Sequence, residues 1–297
     1  MVNQVQERNS NSQNVNIKME NMNIEKLIDS GAHYGHPVNK WNPKFKPFIA
    51  AKKNGIYIID LKLTLQYLDK ALKELLRISD RGGSILFIGT KAQAKDIVQS
   101  CADKCSMFYI VERWLGGTLT NFSTIKKSIK RLVMLEKESS PIYKDKTKKE
   151  RNMLIREKLK LSDLHRGIKD MKHLPSAIFV IDTMHEKIAV SEAKCLGIPT
   201  FGLVDSNTDP FIIDYPIPAN DDSIKTIKLI MSYITETIHD AIGGSSKTEE
   251  QNEEAKEVEK SNDTQDNKEE VNLETTVVDT NDGSSGSQKK SKNISQN

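Results

Sequence analysis

The chain has 297 residues, of which 37% are hydrophobic and 29% charged, and its formal net charge is +3 at pH 7. This apolar content can bury a core, which excludes a wholly disordered chain, and no apolar run approaches the roughly 18–20 residues of a membrane span. Three cysteines cannot all pair within one chain, and the Asn-rich N-terminus has no apolar signal segment. We therefore expect a cytosolic protein with reduced thiols, neither secreted nor bound to a membrane.

The predicted elements begin, in chain order, with a polar leader over residues 1–19, which we expect to be disordered. The folded domain is predicted over residues 20–243. Five short, continuously apolar runs in it predict strands covered by helices on both faces, namely residues 56–60, 84–89, 107–111, 177–182 and 199–204. Helical periodicity is found over residues 64–80, 92–104, 185–196 and 223–242. The alternation predicts an α/β fold with a parallel sheet and right-handed crossovers.

An inserted helical hairpin is predicted over residues 120–172, between the third and fourth predicted strands. Ile125, Ile129 and Leu132 follow one another at intervals of four and three, which is typical of an amphipathic helix. Pro141 then breaks this helix, and apolar residues a heptad apart over residues 154–168 predict a second one. Two apolar seams on either side of a short turn predict an antiparallel hairpin like a short coiled coil.

The small net charge conceals a strong segregation of charge. Residues 244–297 contain seven Lys, thirteen Asp or Glu and no aromatic residue, which predicts an acidic, disordered tail. Residues 123–172 contain sixteen Lys or Arg and seven acidic residues, whereas the remainder of residues 1–243 is balanced. Because a solvated surface needs no such bias, we predict that the hairpin has an anionic partner and that this partner is nucleic acid.

A second candidate surface for nucleic acid is the lysine-rich segment, residues 39–53. Its lysines alternate with Trp41, Phe45 and Phe48. This pattern suits phosphate contacts combined with stacking on exposed bases. It also suits aromatic side chains that anchor the segment in the core while the lysines face outward, and the sequence leaves both interpretations open.

The sequence evidence for a catalytic site or a metal site is weaker than that for nucleic-acid binding. The turn at residues 87–91 lacks the glycine spacings of nucleotide-binding loops, which favours an ordinary strand–helix turn. His33 and His36 have no recognisable third ligand, and the aspartates of residues 205–222 suit turns better than a Mg²⁺ site. We therefore predict no catalytic residue, no cofactor and no metal site. A nucleotide-using enzyme on a Rossmann-like sheet is the main alternative.

Six blocks of the chain, in order, resemble the signatures of the ribosomal protein S-two family, the bacterial type of the second protein of the small ribosomal subunit. They are residues 31–60, 86–94, 113–125, 179–194, 196–210 and 217–230. The resemblance implies a flavodoxin-like, three-layer α/β domain that carries an inserted hairpin. It also implies a structural, non-enzymatic constituent of the 30S subunit in the cytoplasmic ribosome, which is not a homo-oligomer. The expected partners are 16S rRNA and other 30S proteins, including the S1 protein, whose docking it would support.

Charge pattern and resemblance together predict a set of rRNA-binding side chains. All are basic or aromatic and belong to the lysine-rich segment, to the turn before the hairpin or to the hairpin itself: Lys40, Trp41, Lys44, Lys46, Lys52, Arg113, Trp114, Lys126, Lys127, Lys130, Arg131, Lys148, Lys149 and Arg151. Binding of messenger RNA, its own included, is an alternative that the sequence does not separate from rRNA binding.

Overall fold

The computed structural model describes residues 22–137, 143 and 146–241. The predicted leader and acidic tail lie outside these residues. Five strands form an all-parallel sheet, namely β4 (Ile85–Ile88), β5 (Phe108–Ile110), β6 (Ala177–Ile181), β7 (Thr200–Val204) and β8 (Tyr215–Pro218). Their order across the sheet is β5-β4-β6-β7-β8. Numbered within this sheet, the order is 2-1-3-4-5, which is the flavodoxin-like arrangement.

Helices cover both faces of this sheet, which confirms the predicted three-layer α/β class. They are α1 (Ile24–Ser30), α2 (Leu61–Asp80), α3 (Lys95–Lys104), α6 (Lys187–Cys195) and α7 (residues 224–241). Strand residues alternate between two cores, so that Phe87 packs in the core with α2, α3 and α7 while Ile88 packs in the core with α6. Every residue of β4, β6 and β7 is buried, which explains why these strands are continuously apolar.

One predicted strand belongs to a different sheet. The run at residues 56–60 forms β3 (Ile56–Ile59) in a separate antiparallel sheet with β1 (Tyr34–Pro37) and β2 (Ile49–Lys53), in the order β1-β3-β2. The Asn54-Gly55 turn, in which both residues have positive φ, pairs β2 with β3 directly. The prediction that residues 56–60 join the parallel sheet is therefore wrong, because a tight local turn supplies their partner.

The fifth strand of the parallel sheet is β8, which the sequence suggested to be part of a turn-rich stretch. Pro216 and Pro218 lack the N–H group of a central strand, but β8 lies at the edge of the sheet. The N–H of Ala219 donates to the carbonyl of Val204 in β7. Because backbone N–H directions alternate along a strand, the nitrogens of Pro216 and Pro218 point away from β7, to the open edge. The two prolines are therefore compatible with this strand.

The inserted hairpin lies between β5 and β6 and consists of α4 (Phe122–Glu136) and α5 (Lys148–His165). The Ser128–His165 and Arg131–Glu157 contacts show that the two helices run in opposite directions. The buried side chains of α4 include those predicted to form its seam, but on α5 Leu154 is only half-buried. The hairpin is thus confirmed, whereas its coiled-coil character stays a prediction.

Candidate functional site

The lysine-rich segment is anchored by its phenylalanines. Asn42 caps a 3-10 helix over Pro43–Phe48, and this helix directs Phe45 and Phe48 into the core, where they are almost fully buried. Trp41 is half-buried, and its ring lies 4.9 Å from that of Tyr57. The structure therefore supports the anchoring interpretation for the two phenylalanines.

The lysines of the same segment face outward. Five of them are exposed, namely Lys40, Lys44, Lys46, Lys52 and Lys53. Lys44 Nζ lies 2.6 Å from Asp209 Oδ2 in an exposed ion pair. The segment therefore presents exposed positive charges while its two buried phenylalanines fix it to the core, and its last residues form β2 of the antiparallel sheet.

The turn that leads into the hairpin is organised by a single carboxylate. Glu192 on α6 accepts hydrogen bonds from Trp114 Nε1 at 3.0 Å and from the backbone N–H groups of Gly117, Leu119 and Thr120 at 2.8–3.1 Å. Burial opposes ionisation of Glu192, but these hydrogen bonds outweigh it and lower its pKa. Sequence reasoning missed this role, although both partners lie within blocks that it had singled out.

The predicted site residues of this turn and hairpin fall into two groups. Trp114 is buried and engaged by Glu192, and Arg131 makes two hydrogen bonds, of 3.0 and 3.1 Å, to Glu157. Lys126 Nζ donates to the carbonyl of Lys172 and lies 4.7 Å from the centre of the Phe122 ring. The remaining cations are exposed: Arg113, Lys127, Lys130, Lys148, Lys149 and Arg151.

The carboxyl edge of the parallel sheet is acidic. Lys91, after β4, lies 3.3 Å from Asp182 Oδ2 and 2.9 Å from Asp221 Oδ1, and it also contacts Asp222. Asp182 adopts a left-handed backbone conformation, with φ of 62°. Burial, together with neighbouring aspartates, raises the pKa of Asp221 to about 7.

This edge is where sheets of this topology bind ligands, at the point where the strand order reverses. Its acidic lining disfavours the phosphates of a nucleotide, because like charges would face each other at short range. Gly89 is needed for packing, since a Cβ atom there would lie 2.8 Å from Val98 Cγ2 of α3. The geometry therefore supports the ordinary strand–helix turn predicted at residues 87–91.

The same edge brings His36 together with three carboxylates. One ligand atom from each of His36, Asp205, Asp221 and Asp222 lies within 4.8 Å of the others. The sequence offered His36 no further ligand, because β1 and the ends of β7 and β8 are far apart in the chain. The histidine and the aspartates were considered separately and become one cluster only in the tertiary structure.

Comparison with known proteins identifies the family. A family model described as Ribosomal protein S2 matches residues 27–241, which is well over half of the chain. The chain belongs to the ribosomal protein S2 family. Membership confirms the predicted resemblance and makes the chain a structural, non-enzymatic protein, as predicted.

Two relatives named small ribosomal subunit protein uS2 match most of the chain. The small ribosomal subunit protein uS2 of Chloroherpeton thalassium is 53% identical over 224 residues, which cover 75% of this chain and 90% of the relative. The protein of the same name from Chlorobaculum tepidum is 49% identical over 219 residues, covering 73% and 88%. No helix in the described part of the chain combines the length and the hydrophobicity that a membrane span requires.

Proposed function

We propose that this protein is a structural constituent of the small ribosomal subunit that binds 16S rRNA through the exposed cations of its hairpin. The coarser part of this proposal, a structural role in the 30S subunit of the cytoplasmic ribosome, follows from the family and from relatives named as small-subunit proteins. The observation that supports rRNA binding is the concentration of exposed Lys and Arg side chains on an arm of two packed helices.

The residues proposed to contact rRNA are fewer than those predicted from the sequence. The principal contacts are Lys127, Lys130, Lys148, Lys149 and Arg151, which are exposed along the hairpin. The lysine-rich segment and Arg113 add further exposed cations. Trp114 instead positions the turn through Glu192, and Arg131 ties α4 to α5. Trp41 is only half-buried, so part of its side chain remains accessible for stacking on a base.

Salt dependence tests this proposal directly. Each phosphate contact contributes roughly 0.7–0.9 to the slope of log affinity against log salt concentration. Replacing the five hairpin cations by Ala should therefore weaken binding and flatten the slope by about 3.5–4.5. Binding to small-subunit particles that lack this protein is measured by co-sedimentation through sucrose at several salt concentrations.

The matched control removes five exposed lysines from the body of the domain. This variant replaces Lys62, Lys104, Lys187, Lys225 and Lys228 by Ala and thus changes net charge equally. If the control weakens binding as much as the hairpin variant does, net charge and not the hairpin governs association. If the hairpin variant keeps the affinity and slope of the wild type, the hairpin contacts protein and the proposal fails.

The proposal also includes contacts with other proteins of the small subunit. Resemblance to the family supports contacts with other 30S proteins and a contribution to docking of the S1 protein. Small-subunit particles with and without this protein can be compared for retention of S1 at equal salt. Equal retention in both would remove S1 docking from the proposed function and leave rRNA binding untouched.

A further inference from the structure

The most exposed large apolar side chain in the described part of the chain is Phe211, at 66%. It lies in a short 3-10 helix over Pro210–Ile212, in the loop between β7 and β8. Its neighbours are held inside, since Pro210 and Ile213 are buried and Ile212 packs against the core that contains α6. The fold therefore turns one aromatic ring of this loop outward, and the proposed hairpin contacts do not involve it.

Asp209 ties this residue to the lysine-rich segment. Its Oδ1 accepts a hydrogen bond from the backbone N–H of Phe211 at 3.0 Å, and its Oδ2 lies 2.6 Å from Lys44 Nζ. The 3-10 helix over Pro43–Phe48 also contacts the one over Pro210–Ile212. One carboxylate thus holds an exposed aromatic residue and an exposed ammonium group side by side.

The surroundings of the exposed ring are positively charged. Lys44 is 64% exposed, and Lys194 near the end of α6 is exposed as well. Although burial opposes its ionisation, the pKa of Asp209 is lowered by Lys44, by the backbone N–H that it accepts and by the charge of Lys194, so both ammonium groups lie near it. Asp214, further along the loop, is engaged elsewhere, since it accepts hydrogen bonds from Thr200 at the start of β7. Two ammonium groups are therefore near one carboxylate beside the ring.

This combination of an aromatic ring and cations favours a nucleic acid base over a protein as the ligand. The buried centre of a protein interface is depleted of charged residues, and of lysine in particular. Around Phe211, by contrast, the neighbouring side chains are two lysines and an aspartate. A base has a flat face that stacks on an aromatic side chain, and the phosphates on either side of it suit neighbouring cations.

A base that stacks on this ring has to be unpaired. In an RNA duplex the faces of the bases are stacked on one another, so only loops, bulges and ends offer a base to a protein side chain. The pattern of the lysine-rich segment suggested such stacking for Phe45 and Phe48, but both are buried. Phe211 instead supplies an exposed ring beside a lysine of that segment.

We propose that Phe211, Lys44 and Lys194 form a stacking site for an unpaired nucleotide of 16S rRNA, which we call the Phe211 site. The ring stacks on the base, and the two lysines contact the adjoining phosphates. This inference rests on the proposed function in that the ligand is 16S rRNA, but its contacts are separate from those of the hairpin. It adds to phosphate binding a contact that requires an exposed base and is insensitive to salt.

Free RNA tests the chemistry of the Phe211 site on the full chain. Binding of a fluorescently labelled oligouridine and of a labelled RNA duplex of equal length is measured by anisotropy at several salt concentrations. Phe211→Ala should weaken binding of the single strand roughly 5- to 150-fold, as loss of one stacked base does, and leave binding of the duplex unchanged. The slope of log affinity against log salt concentration should stay as in the wild type, because stacking releases no counterion. An equal loss for both RNAs, or no loss for either, would overturn the proposal.

Further variants separate stacking from a simple apolar contact. Phe211→Trp should keep the single-strand affinity, whereas Phe211→Leu, which is apolar but has no ring, should lose it as Phe211→Ala does. Replacing Lys44 and Lys194 together by Ala should flatten the salt slope by about 1.4. The control Ile224→Ala removes a side chain of similar exposure, 57%, and should bind as the wild type does. Full affinity in Phe211→Leu would overturn the stacking assignment.

Small-subunit particles that lack this protein identify the RNA and separate this site from the hairpin. Phe211→Ala should lower the affinity for the particles at least fivefold, both in the wild-type chain and in the five-cation hairpin variant. If only the hairpin variant binds more weakly, the proposed function stands and the Phe211 site fails. If only Phe211→Ala binds more weakly, the hairpin contacts fail and the Phe211 site stands. Weaker binding of Phe211→Ala to the oligouridine but not to the particles would overturn the assignment to 16S rRNA.

Discussion

The carboxylate of Glu192 accepts a hydrogen bond from the indole N–H of Trp114 at 3.0 Å, and both side chains are buried. The other hydrogen bonds to this carboxylate come from the turn at residues 117–120, including the hydroxyl of Thr120. One side chain on α6 thus fixes the turn from which the hairpin begins. The start of the basic arm is therefore tied to α6 by this carboxylate.

Replacing Glu192 by Gln should loosen this turn. The amide NH₂ would face backbone N–H donors that now have a carboxylate acceptor, and hydrogen bonds to charged groups contribute about 1.5–3 kcal/mol each. We expect a loss of about 2 kcal/mol or more in the free energy of unfolding, measured by urea denaturation. Amide exchange at Gly117 and Leu119 should accelerate. Glu74→Gln, in an exposed pair with Arg77, is the control and should change stability by less than about 1 kcal/mol.

The same carboxylate predicts a dependence on acid pH. The pKa of Glu192 is lower in the folded protein than its usual value of 4.5, so its contribution to stability is complete above that value. It is lost as the pH falls from about 4.5 through the lowered pKa. The stability difference between wild type and Glu192→Gln should therefore shrink when urea midpoints are compared at pH 6 and at pH 3.5. A constant difference would show that ionisation of Glu192 is not what stabilises the turn.

His165 at the base of the hairpin predicts a second pH effect, near neutrality. It is buried, its Nε2 lies 2.8 Å from Ser128 Oγ, and burial lowers its pKa from 6.5. A lowered histidine pKa means that the unfolded chain binds the proton more tightly, so stability falls as the pH drops below about 6.5. We expect His165→Gln to reduce this acid loss, as measured by unfolding at pH 5 and pH 7.5.

The comparison needs one control variant, and it must separate the effect of His165 from that of His36. His173→Gln changes an exposed histidine nearby and should leave the pH dependence as it is in the wild type. His36 acts in the opposite direction, because hydrogen bonding to Asp205 raises its pKa and makes its contribution greatest at low pH. The effect of His165 is therefore obtained as the difference between wild type and variant rather than from the wild type alone.

Gly167 predicts a steric limit at the end of the hairpin. A Cβ atom there would overlap the backbone carbonyl of Tyr109 in β5, which cannot move without disturbing the sheet. Gly167→Ala should lower the free energy of unfolding by about 1–3 kcal/mol, as overpacking does. Gly116→Ala is the matched control, since a Cβ atom at Gly116 meets nothing within 4 Å. Similar thermal midpoints for the two variants would contradict the predicted close approach.

Residue patterns alone predict the α/β class, the position of the hairpin and the location of the positive charge. These properties are local, because continuous apolar runs report burial on two faces and apolar spacing reports helices. The extent of the hairpin and the buried positions Ile125, Ile129 and Leu132 could therefore be predicted from spacing alone. The six blocks of family resemblance were visible for the same reason.

Contacts between residues far apart in the chain could not be predicted and are seen only in the folded protein. The strand order places β3 in a separate sheet and β8 at an edge, where its prolines are tolerated. The packing of the turn before the hairpin against α6 buries Trp114 beside Glu192. The tertiary structure also brings His36 to Ser206, 170 positions later in the chain, and so places His36 beside Asp205, Asp221 and Asp222. Local periodicity carries no information about such contacts, because the ends of parallel strands converge through the order of the sheet and not through their spacing in the chain.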